Sequence, residues 1–346
     1  MGTRYVVRET GFQPFADAIL SLWSAHLHEM TPESAAYKMR HWYEENPAGS
    51  GACVVLQAEG QETPVGVQCL LERQHWSGSN SIKTAGLAEF AIDPAHRSLG
   101  PALSLLKRCL EIGRARYGLV YGLPNPNAFS VCKRAGLVHV GDMMRYILPL
   151  RLRLLTRRRK SRWLPWLEGP TDLALRLLAD ARALRHRAPL RWREADFSDP
   201  DLGIIWDLRP QYLSLCNRDN QALNWRFNLG TGWKLAIACR APRQPFGYVV
   251  WRRHDDFVQV GDFLCPDPDR NAAALLSGFV RHIRGKTDAN GVELEFCGRA
   301  NVLQGIRRAG FRPRSVMCPL VFDRKPEIGQ GALESFYFTE FDRVSD

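Results

Sequence analysis

The sequence lacks the features that mark secreted, zinc-binding and membrane-spanning proteins. Its nine cysteines are scattered and never spaced as C-x-x-C, so we expect neither a disulfide framework nor a zinc knuckle, and we predict no metal site. The first residues contain no apolar core of signal-peptide length, and nowhere do about 18 apolar residues follow one another without a charge. Proline and glycine, at 21 and 28 residues, are too few for a collagen-like or low-complexity chain. We therefore expect a folded, cytoplasmic protein.

The length and the charge distribution indicate two modules joined by a basic connection. With 346 residues, of which 45% are hydrophobic, the chain can form two packed cores. The net charge is +11, and residues 151–193 alone contain thirteen basic residues and three acids. Basic charge of this density is typical of a segment that meets an anionic partner, such as nucleic acid or an anionic membrane.

An internal repeat flanks this basic stretch. The run NAFSVCKRAGL beginning at Asn127 resembles NVLQGIRRAGF beginning at Asn301, and Asp93-Pro94 recurs 174 positions later as Asp267-Pro268. Because one offset relates both matches, we infer a duplicated module. The predicted domains are residues 1–150 and 191–325, with a basic, partly helical linker at 151–190 and a tail at 326–346.

The hydrophobic patterns predict a mixed α/β fold with the same order of elements in both modules. In the first module the order is β, α, α, β, β, β, α, β, α, β. We expect Thr31 to cap the second helix ahead of Pro32, and Asn127 to cap the last helix. The first helix is predicted over 15–30, and two separate strands are predicted near Val138 and Tyr146.

The most informative passage is the turn R-x-x-G-x-A from Arg97 to Ala102, which joins a strand ending at Ile92 to a helix opening near Pro101. Backbone N–H groups of such a turn converge at the N-terminus of a helix, and Gly100 leaves room for a pyrophosphate. The alternative is that Gly100 only allows a tight connection between strand and helix.

This passage resembles the acetyl-CoA site of the GNAT acetyltransferase superfamily, in which Q/R-x-x-G-x-G/A follows a strand that ends in D/H-P. A second family motif, N-x-x-A-(x)7-G-F, is similar at Asn125, Ala128 and Gly136, with Leu137 in place of the usual Phe. The resemblance covers roughly residues 3–150 and implies that acetyl-CoA, or another acyl-CoA, is the co-substrate. The implied cofactor-binding residues are Phe90, Ala91, Ile92, Arg97, Ser98, Leu99, Gly100, Pro101, Ala102 and Asn125.

The second module looks like a degenerate copy. Asn271, Ala274 and Leu276 replace the Arg, Gly and Ala of the turn, and Asp269 brings an acid toward it. The arrangement is similar to tandem GNAT enzymes in which one copy binds CoA. A predicted helix carries Arg226, which can pair with an acidic group of the substrate if it faces the cleft between the copies. The run L-x-W-R ending at Arg226 is similar to tandem GNAT proteins of bacterial polysaccharide gene clusters, which implies a sugar amine or hydroxyl as the acceptor.

Acyl transfer from a thioester needs a base for the acceptor and a donor for the carbonyl oxygen. The resemblance implies that a backbone N–H at Ala91 or Ile92 is the oxyanion donor. Glu89 alternates with Phe90 on the same strand, so it can face the acceptor, and we predict it as the general base. The alternative interpretation is a solvated or ion-paired carboxylate on the strand.

The proton donor to the departing thiolate is less defined. Cys132 occupies the position at which many family members have a catalytic Tyr, but a buried, packed thiol is the favoured interpretation. Tyr121 on the fifth strand, Tyr146 and solvent are the other candidates.

The sequence therefore predicts an acyl-CoA-dependent N- or O-acyltransferase acting on an amine or hydroxyl of a small molecule, with a sugar as one acceptor class. Three alternatives remain: a FemX-like aminoacyl transferase that uses aminoacyl-tRNA, a non-catalytic CoA-binding scaffold, and an interaction protein that binds neither. Salt-sensitive tRNA binding without CoA binding would favour the first of these.

The basic stretch itself has three interpretations. Residues 151–166 interleave Arg and Lys with Leu and Trp, a pattern typical of attachment to an anionic membrane, here the inner face. A plain linker is the second interpretation, and nucleic-acid binding is the least favoured. After Pro170 we expect Leu173, Leu177 and Ala181 to pack between the modules.

Overall fold

The computed structural model describes most of the chain and divides it into two compact units. Unit 1 takes the described residues of Met1–Asp142, Cys318–Leu333 and Arg343–Asp346, and unit 2 those of Met143–Met317 and Glu334–Asp342. The described residues are 3–27, 30–151, 164–185, 190–228, 230–323 and 335–344, with the side chains of 164–168 excepted. Most of the predicted membrane segment 151–166 lies outside them.

Unit 1 is a mixed sheet with helices packed on it. Its strands follow the order β1-β2-β3-β4-β5, and every neighbouring pair is antiparallel except β4 and β5, which are parallel. Residues 321–323 extend the sheet by pairing antiparallel with β5. The strands are β1 (Tyr5–Thr10), β2 (Ala52–Ala58), β3 (Gly66–Ser77), β4 (Asn80–Ile92) and β5 (Leu119–Gly122). The helices are α1 (Ala16–His26), α2 (Pro32–Lys38), α3 (Leu99–Arg116) and α4 (Pro126–Arg134).

Local sequence accounts for several of these elements. Thr31 and Ser34 form a capping box at the start of α2, as predicted for Thr31, and the chain continues into one π-helical turn over Met39–Glu44. Every residue of β2 is buried, and α3 packs its apolar face on the sheet through Leu105, Leu106 and Cys109. The main core of unit 1 therefore lies between α3 and the sheet.

Unit 2 repeats this architecture. Its strands follow the order β6-β12-β11-β10-β9-β7, and within it the parallel pair is β11 with β12. The strands are β6 (Val138–Pro149), β7 (Arg191–Ala195), β8 (Ser214–Cys216), β9 (Lys234–Ala241), β10 (Gln244–His254), β11 (Phe257–Leu264), β12 (Gly291–Gly298), β13 (Arg312–Asp323) and β14 (Tyr337–Phe338). The helices are α5 (Leu164–Arg185), α6 (Pro200–Asp207), α7 (Asn220–Phe227), α8 (Pro268–Arg284) and α9 (Ala300–Arg308).

The predicted mixed α/β class is confirmed, and the unit boundaries fall inside two long strands. Residues 144–149 of β6 pair with β12 in unit 2, while residues 321–323 of β13 pair with β5 in unit 1. Each unit is therefore completed by residues beyond the limits suggested by the repeat. The predicted limits of the domains as separately folding pieces stay a prediction.

Four local predictions are wrong. The first helix ends at His26 rather than near residue 30, and one strand, β6, replaces the two predicted near Val138 and Tyr146. Asn125, not Asn127, caps α4, because Pro126 can occupy the first helical position without losing a hydrogen bond. Residues 335–344 are not a tail: their aromatic side chains are buried and β14 pairs with β12.

Candidate active site

A β-bulge interrupts β4 at Glu89. Val67 lies opposite Ala91 and Cys69 lies opposite Ala88, so Gln68 alone faces the two residues Glu89 and Phe90. Glu89 has a φ of 47°, which is uncommon for a residue with a Cβ, and the Gln68 side chain donates to the Ala88 carbonyl at 2.7 Å. A bulge of this kind redirects the backbone of the strand and shifts which residues face each side.

Beyond the bulge, β4 and β5 separate. Their pairing ends where Leu87 lies opposite Gly122. The Asp93 N–H donates to the Val65 carbonyl of the segment before β3, at 2.8 Å. Because N–H groups alternate between the two sides of a strand, the Ala91 N–H points toward β3 and the Ile92 N–H points away from it. Of the two predicted oxyanion donors, Ile92 is therefore the one whose N–H points to the side where β5 has ended.

The predicted phosphate-binding turn follows immediately. Asp93 accepts a hydrogen bond from the Ala95 N–H at 2.8 Å and opens a 3-10 turn over Pro94–His96. Arg97 donates through Nη2 and Nε to the Ile92 carbonyl, at 2.9 and 3.3 Å, so its guanidinium fixes the turn against the end of the strand. The N–H groups of Arg97 and Ser98 donate to the carbonyls of Pro94 and His96, so it is the start of α3 that is left to meet a ligand.

The start of α3 is open to solvent. Ser98 is the N-cap and makes no capping hydrogen bond with its side chain, and residues 97–100 are exposed. The N–H groups of Leu99 and Gly100 belong to the first turn, where an α-helix supplies no acceptor, and Pro101 has no N–H to leave unsatisfied. Two N–H groups and the positive end of an 18-residue helix therefore point outward together.

Gly100 is not required by the fold. It lies within the helix and outside the positive-φ region, and a Cβ built on it meets no atom within 4 Å. The alternative that Gly100 serves a tight connection is thus disfavoured. A side chain here would extend only into the space that a bound anion would use.

Glu89 is enclosed rather than open. Its side chain is 1% exposed, its Oε1 lies 2.8 Å from Nζ of Lys38, and its Oε2 accepts a hydrogen bond from the Tyr43 hydroxyl. Lys38 ends α2 and Tyr43 lies in the following π turn, so both partners come from the helical segment that packs on this face of the sheet. The geometry matches the ion-paired interpretation of Glu89.

The other predicted catalytic side chains are buried. Tyr121 is fully buried on β5 opposite Gly86, and Val344 lies so close to Gly86 that a Cβ there would collide with it. Cys132 belongs to the core beneath α3, and burial raises the pKa of its thiol to about 11. Asn125 uses its side-chain oxygen to accept from the Ala128 N–H at 2.9 Å.

In unit 2 the equivalent turn is absent. Helix α8 begins directly at Pro268, so Asn271, Ala274 and Leu276 lie inside the helix instead of in a turn before it. Asp269 in the first turn is held by Arg299, with a distance of 2.7 Å between Oδ2 and Nη2, and also accepts a hydrogen bond from Asn301. The first turn of α8 already carries its own anion.

The gap between the parallel strands of unit 2 is also occupied. Pairing of β11 with β12 ends at Val260 opposite Leu294, and beyond that point β14 pairs with Cys297 and Gly298 of β12. On the β11 side, Thr339 donates to Asp262 at 2.6 Å. The 335–342 segment therefore contacts both strands where they separate, a role that the sequence did not suggest.

Arg218 and Arg226 hold this segment in place. Arg218 is fully buried and forms ion pairs with Asp262 at 3.0 Å and Asp342 at 2.6 Å. Arg226 is 4% exposed and donates to the Glu340 carbonyl at 3.2 Å. The expectation that Arg226 binds an acidic substrate group is therefore wrong, since its guanidinium serves the chain itself.

A turn that presents backbone N–H groups beside two separating parallel strands is the arrangement expected from the sequence resemblance to GNAT acetyltransferases. Residues 16–137 match the model described as the Acetyltransferase (GNAT) family, so the protein contains a GNAT-family domain in unit 1. No curated protein matches the sequence. Within the described residues, no helix is long and apolar enough to cross a membrane.

Solved structures support the fold over nearly the whole chain. A GCN5-related N-acetyltransferase from Anabaena variabilis superposes with a TM-score of 0.64 at 15% identity, covering 92% of this chain and 72% of that one. A tandem GNAT protein from the clavulanic acid biosynthesis pathway gives 0.51 at 12% identity, covering 92% and 98%. Saccharomyces cerevisiae N-myristoyltransferase with bound myristoyl-CoA gives 0.52 at 9% identity, covering 94% and 81%.

Proposed function

We propose that the protein transfers an acyl group, most simply acetyl, from acyl-CoA held by unit 1 to an amine or hydroxyl of a small molecule. The observation that carries this proposal is the exposed stretch at Arg97–Gly100 with its open Gly100, at the start of α3 within a GNAT-family domain. Unit 2 supports it by contrast, because its first helical turn already carries Asp269, which Arg299 holds, and its strand gap is filled. One chain then binds one CoA.

Each part of the cofactor has a proposed contact. The pyrophosphate accepts hydrogen bonds from the N–H groups of Leu99 and Gly100, where the dipole of α3 favours negative charge. The thioester lies between the separating ends of β4 and β5. The N–H of Ile92 then stabilises the oxyanion, a contribution that is typically worth 100- to 1,000-fold in turnover, to order of magnitude.

Calorimetry with CoA tests the cofactor site. Gly100→Asp places a carboxylate beside the pyrophosphate, so we expect CoA affinity to fall at least about tenfold while the fold is retained. Gly100→Ala fits the fold and should weaken binding less. Ala274→Asp, at the equivalent position of unit 2, is the matched control and should leave CoA affinity unchanged. Unaltered affinity in a folded Gly100→Asp protein would remove the proposed site.

Glu89 has two candidate roles, as a general base or as a residue that positions the strand. As a general base, its loss should cost about 100- to 10,000-fold in turnover, whereas Lys38→Met would leave a carboxylate to act. The enclosed ion pair favours a different role, in which Glu89 holds the bulge of β4 and so positions the Ile92 N–H. In that case Glu89→Gln and Lys38→Met should reduce turnover by similar factors.

The double variant Glu89→Gln/Lys38→Met separates the two roles. When two residues act as one unit, the effects of replacing them do not add. If Glu89 and Lys38 form a positioning pair, turnover should therefore fall no further in the double variant than in either single variant. A base role instead predicts that Glu89→Gln alone accounts for the loss and that Lys38→Met is active across pH 6 to 9. Turnover would be followed by mass, as transfer of one acetyl group to members of an amine and sugar panel.

A CoA-binding protein without catalysis is the second candidate. Two observations favour it: the predicted base is enclosed by Lys38 and Tyr43, and the residue at the usual Tyr position is the core thiol Cys132. The discriminating result is CoA binding without any acyl transfer or thioester hydrolysis. A sugar acceptor remains a prediction, and Arg226 no longer supports it.

A further inference from the structure

Helix α5 presents a long apolar face to solvent. Its exposed leucines are Leu173 at 56%, Leu177 at 59%, Leu178 at 51% and Leu184 at 68%. Pro170, Ala174 and Ala181 are also exposed and recur with them at helical spacing, so the face runs for about four turns. The expectation that Leu173, Leu177 and Ala181 pack between the modules is therefore wrong.

The opposite face of α5 fixes the helix to α8 within unit 2. Ala179 is buried, Asp180 lies 3.2 Å from Nε of Arg281, and Arg284 donates to the Asp172 carbonyl at 3.3 Å. The helix is thus held with its leucines outward. Of its described acids, Asp172 lies toward this packed side, whereas Asp180 is half-exposed at the edge of the leucine face, where Arg281 pairs with it.

The exposed side is cationic at its margins. Arg176 and Arg185 are exposed, and the helical spacing places them on opposite flanks of the leucine face. In the sequence, residues 151–163, which precede the helix, contain seven basic residues and no acid. An apolar stripe with cationic flanks complements a surface that is apolar within and anionic at its edge.

We propose that the exposed face of α5 docks unit 2 onto an anionic lipid bilayer, with the leucines below the headgroups and the arginines among the phosphates. An interfacial helix needs this combination of an apolar face and basic flanks, and each basic residue near an anionic leaflet adds to the attraction. The proposal is independent of the acyltransferase assignment.

A second copy of the chain fits this face less well. Among the described residues of α5, the acid near a margin is Asp180, which already pairs with Arg281 at 3.2 Å, so two identical faces would bring mainly arginines together. The charge of the face therefore favours an anionic lipid surface.

Vesicle co-sedimentation tests the proposal. The full chain should bind phosphatidylglycerol-containing vesicles more tightly than pure phosphatidylcholine vesicles, and binding should weaken from about 0.05 M to about 0.5 M salt. Leu173→Asn/Leu177→Asn should reduce binding to the anionic vesicles at least tenfold. The matched control is Ile204→Asn/Leu208→Asn, another exposed pair at 45% and 52%, which should bind as the unmodified protein does.

Three results would overturn the proposal. Equal binding to both kinds of vesicle would remove the role of charge, and full binding by Leu173→Asn/Leu177→Asn would remove the role of the apolar face and leave charge alone. A lipid-free dimer that this variant dissociates would identify a second copy as the occupant. An unchanged far-ultraviolet circular dichroism spectrum and an unchanged urea midpoint in the variant would show that a loss of lipid binding is not a loss of fold.

Discussion

Replacement of Arg218 by Met should destabilise unit 2 more than any change to an exposed ion pair. The guanidinium is fully buried, and besides its pairs with Asp262 and Asp342 it donates to the Cys216 carbonyl at 2.8 Å. It also lies 4.7 Å from the centre of the Phe341 ring. Met keeps much of the packing volume, so the change removes the charge and the hydrogen bonds above all.

The expected loss of unfolding free energy follows from the carboxylates that Arg218→Met leaves buried. Arg218→Met leaves two fully buried carboxylates without a cation, and breaking a buried pair from one side costs about 3 to 5 kcal/mol. The matched control is Arg253→Met: that arginine pairs with Asp288 at 3.4 Å, but their side chains are 36% and 88% exposed, so we expect a cost below about 1 kcal/mol.

The loss of stability in Arg218→Met should be concentrated in one segment of unit 2. Hydrogen exchange measured by mass against urea concentration gives the free energy of opening for each peptide. In Arg218→Met the peptide containing 335–344 should lose protection first, because its Asp342 loses its buried partner. Adding Asp262→Asn and Asp342→Asn should recover part of the stability, since no uncompensated charge then remains.

A cost below about 1 kcal/mol for Arg218→Met, equal to that of Arg253→Met, would refute this reasoning. Unchanged protection of residues 335–344 would refute the narrower claim that Arg218 anchors the segment. Both results can be read from the same exchange experiment.

Two further predictions concern titration and core packing. Burial raises the pKa of Glu293, so its ionised form is disfavoured in the folded state, and the free energy of unfolding falls as pH rises through that raised pKa. Glu293→Gln should therefore be more stable than the unmodified protein at pH 7 and lose this advantage in acid. The pKa of Asp199 is lowered, first by its hydrogen bond with Arg193, so Asp199→Asn should instead be less stable than the unmodified protein at pH 7 and lose this disadvantage in acid. Urea titrations at several pH values measure both differences. Cys132→Ala should cost about 1 kcal/mol of stability with turnover unchanged, and a large loss of turnover in a folded variant would restore Cys132 as a proton donor.

The parts of the fold that the sequence predicts are those encoded by near neighbours. The turn at Arg97–Ala102, the cap at Thr31 and the apolar strands depend on residues within a few positions of one another. The hairpin of β3 and β4 shows the limit, because its outer half, near Gly78, is polar and gave no alternating signal. Only the pairing with its neighbour makes that stretch a strand.

The structure of the site depends on contacts between distant residues, and the sequence could not supply them. The ion pair of Lys38 with Glu89 joins a helix to a strand 51 positions away, and nothing in the local sequence marks Glu89 as a bulge residue. One missed feature did carry a signal. The run SFYFTEF near residue 338 is too aromatic for a solvated tail, and its burial follows from that composition.

The two units show that the fold alone does not decide whether a cofactor site exists. Both contain Asp-Pro at the end of the strand before the long helix, yet Asp93 has a φ of −54° and Asp267 has a φ of 49°. Asp tolerates the left-handed region, and the Tyr212 hydroxyl donates to its carboxylate at 2.7 Å. With that dihedral α8 starts at once and consumes the residues that form the exposed turn in unit 1. A difference at one backbone position thus accompanies an exposed turn before the long helix in unit 1 and its absence in unit 2.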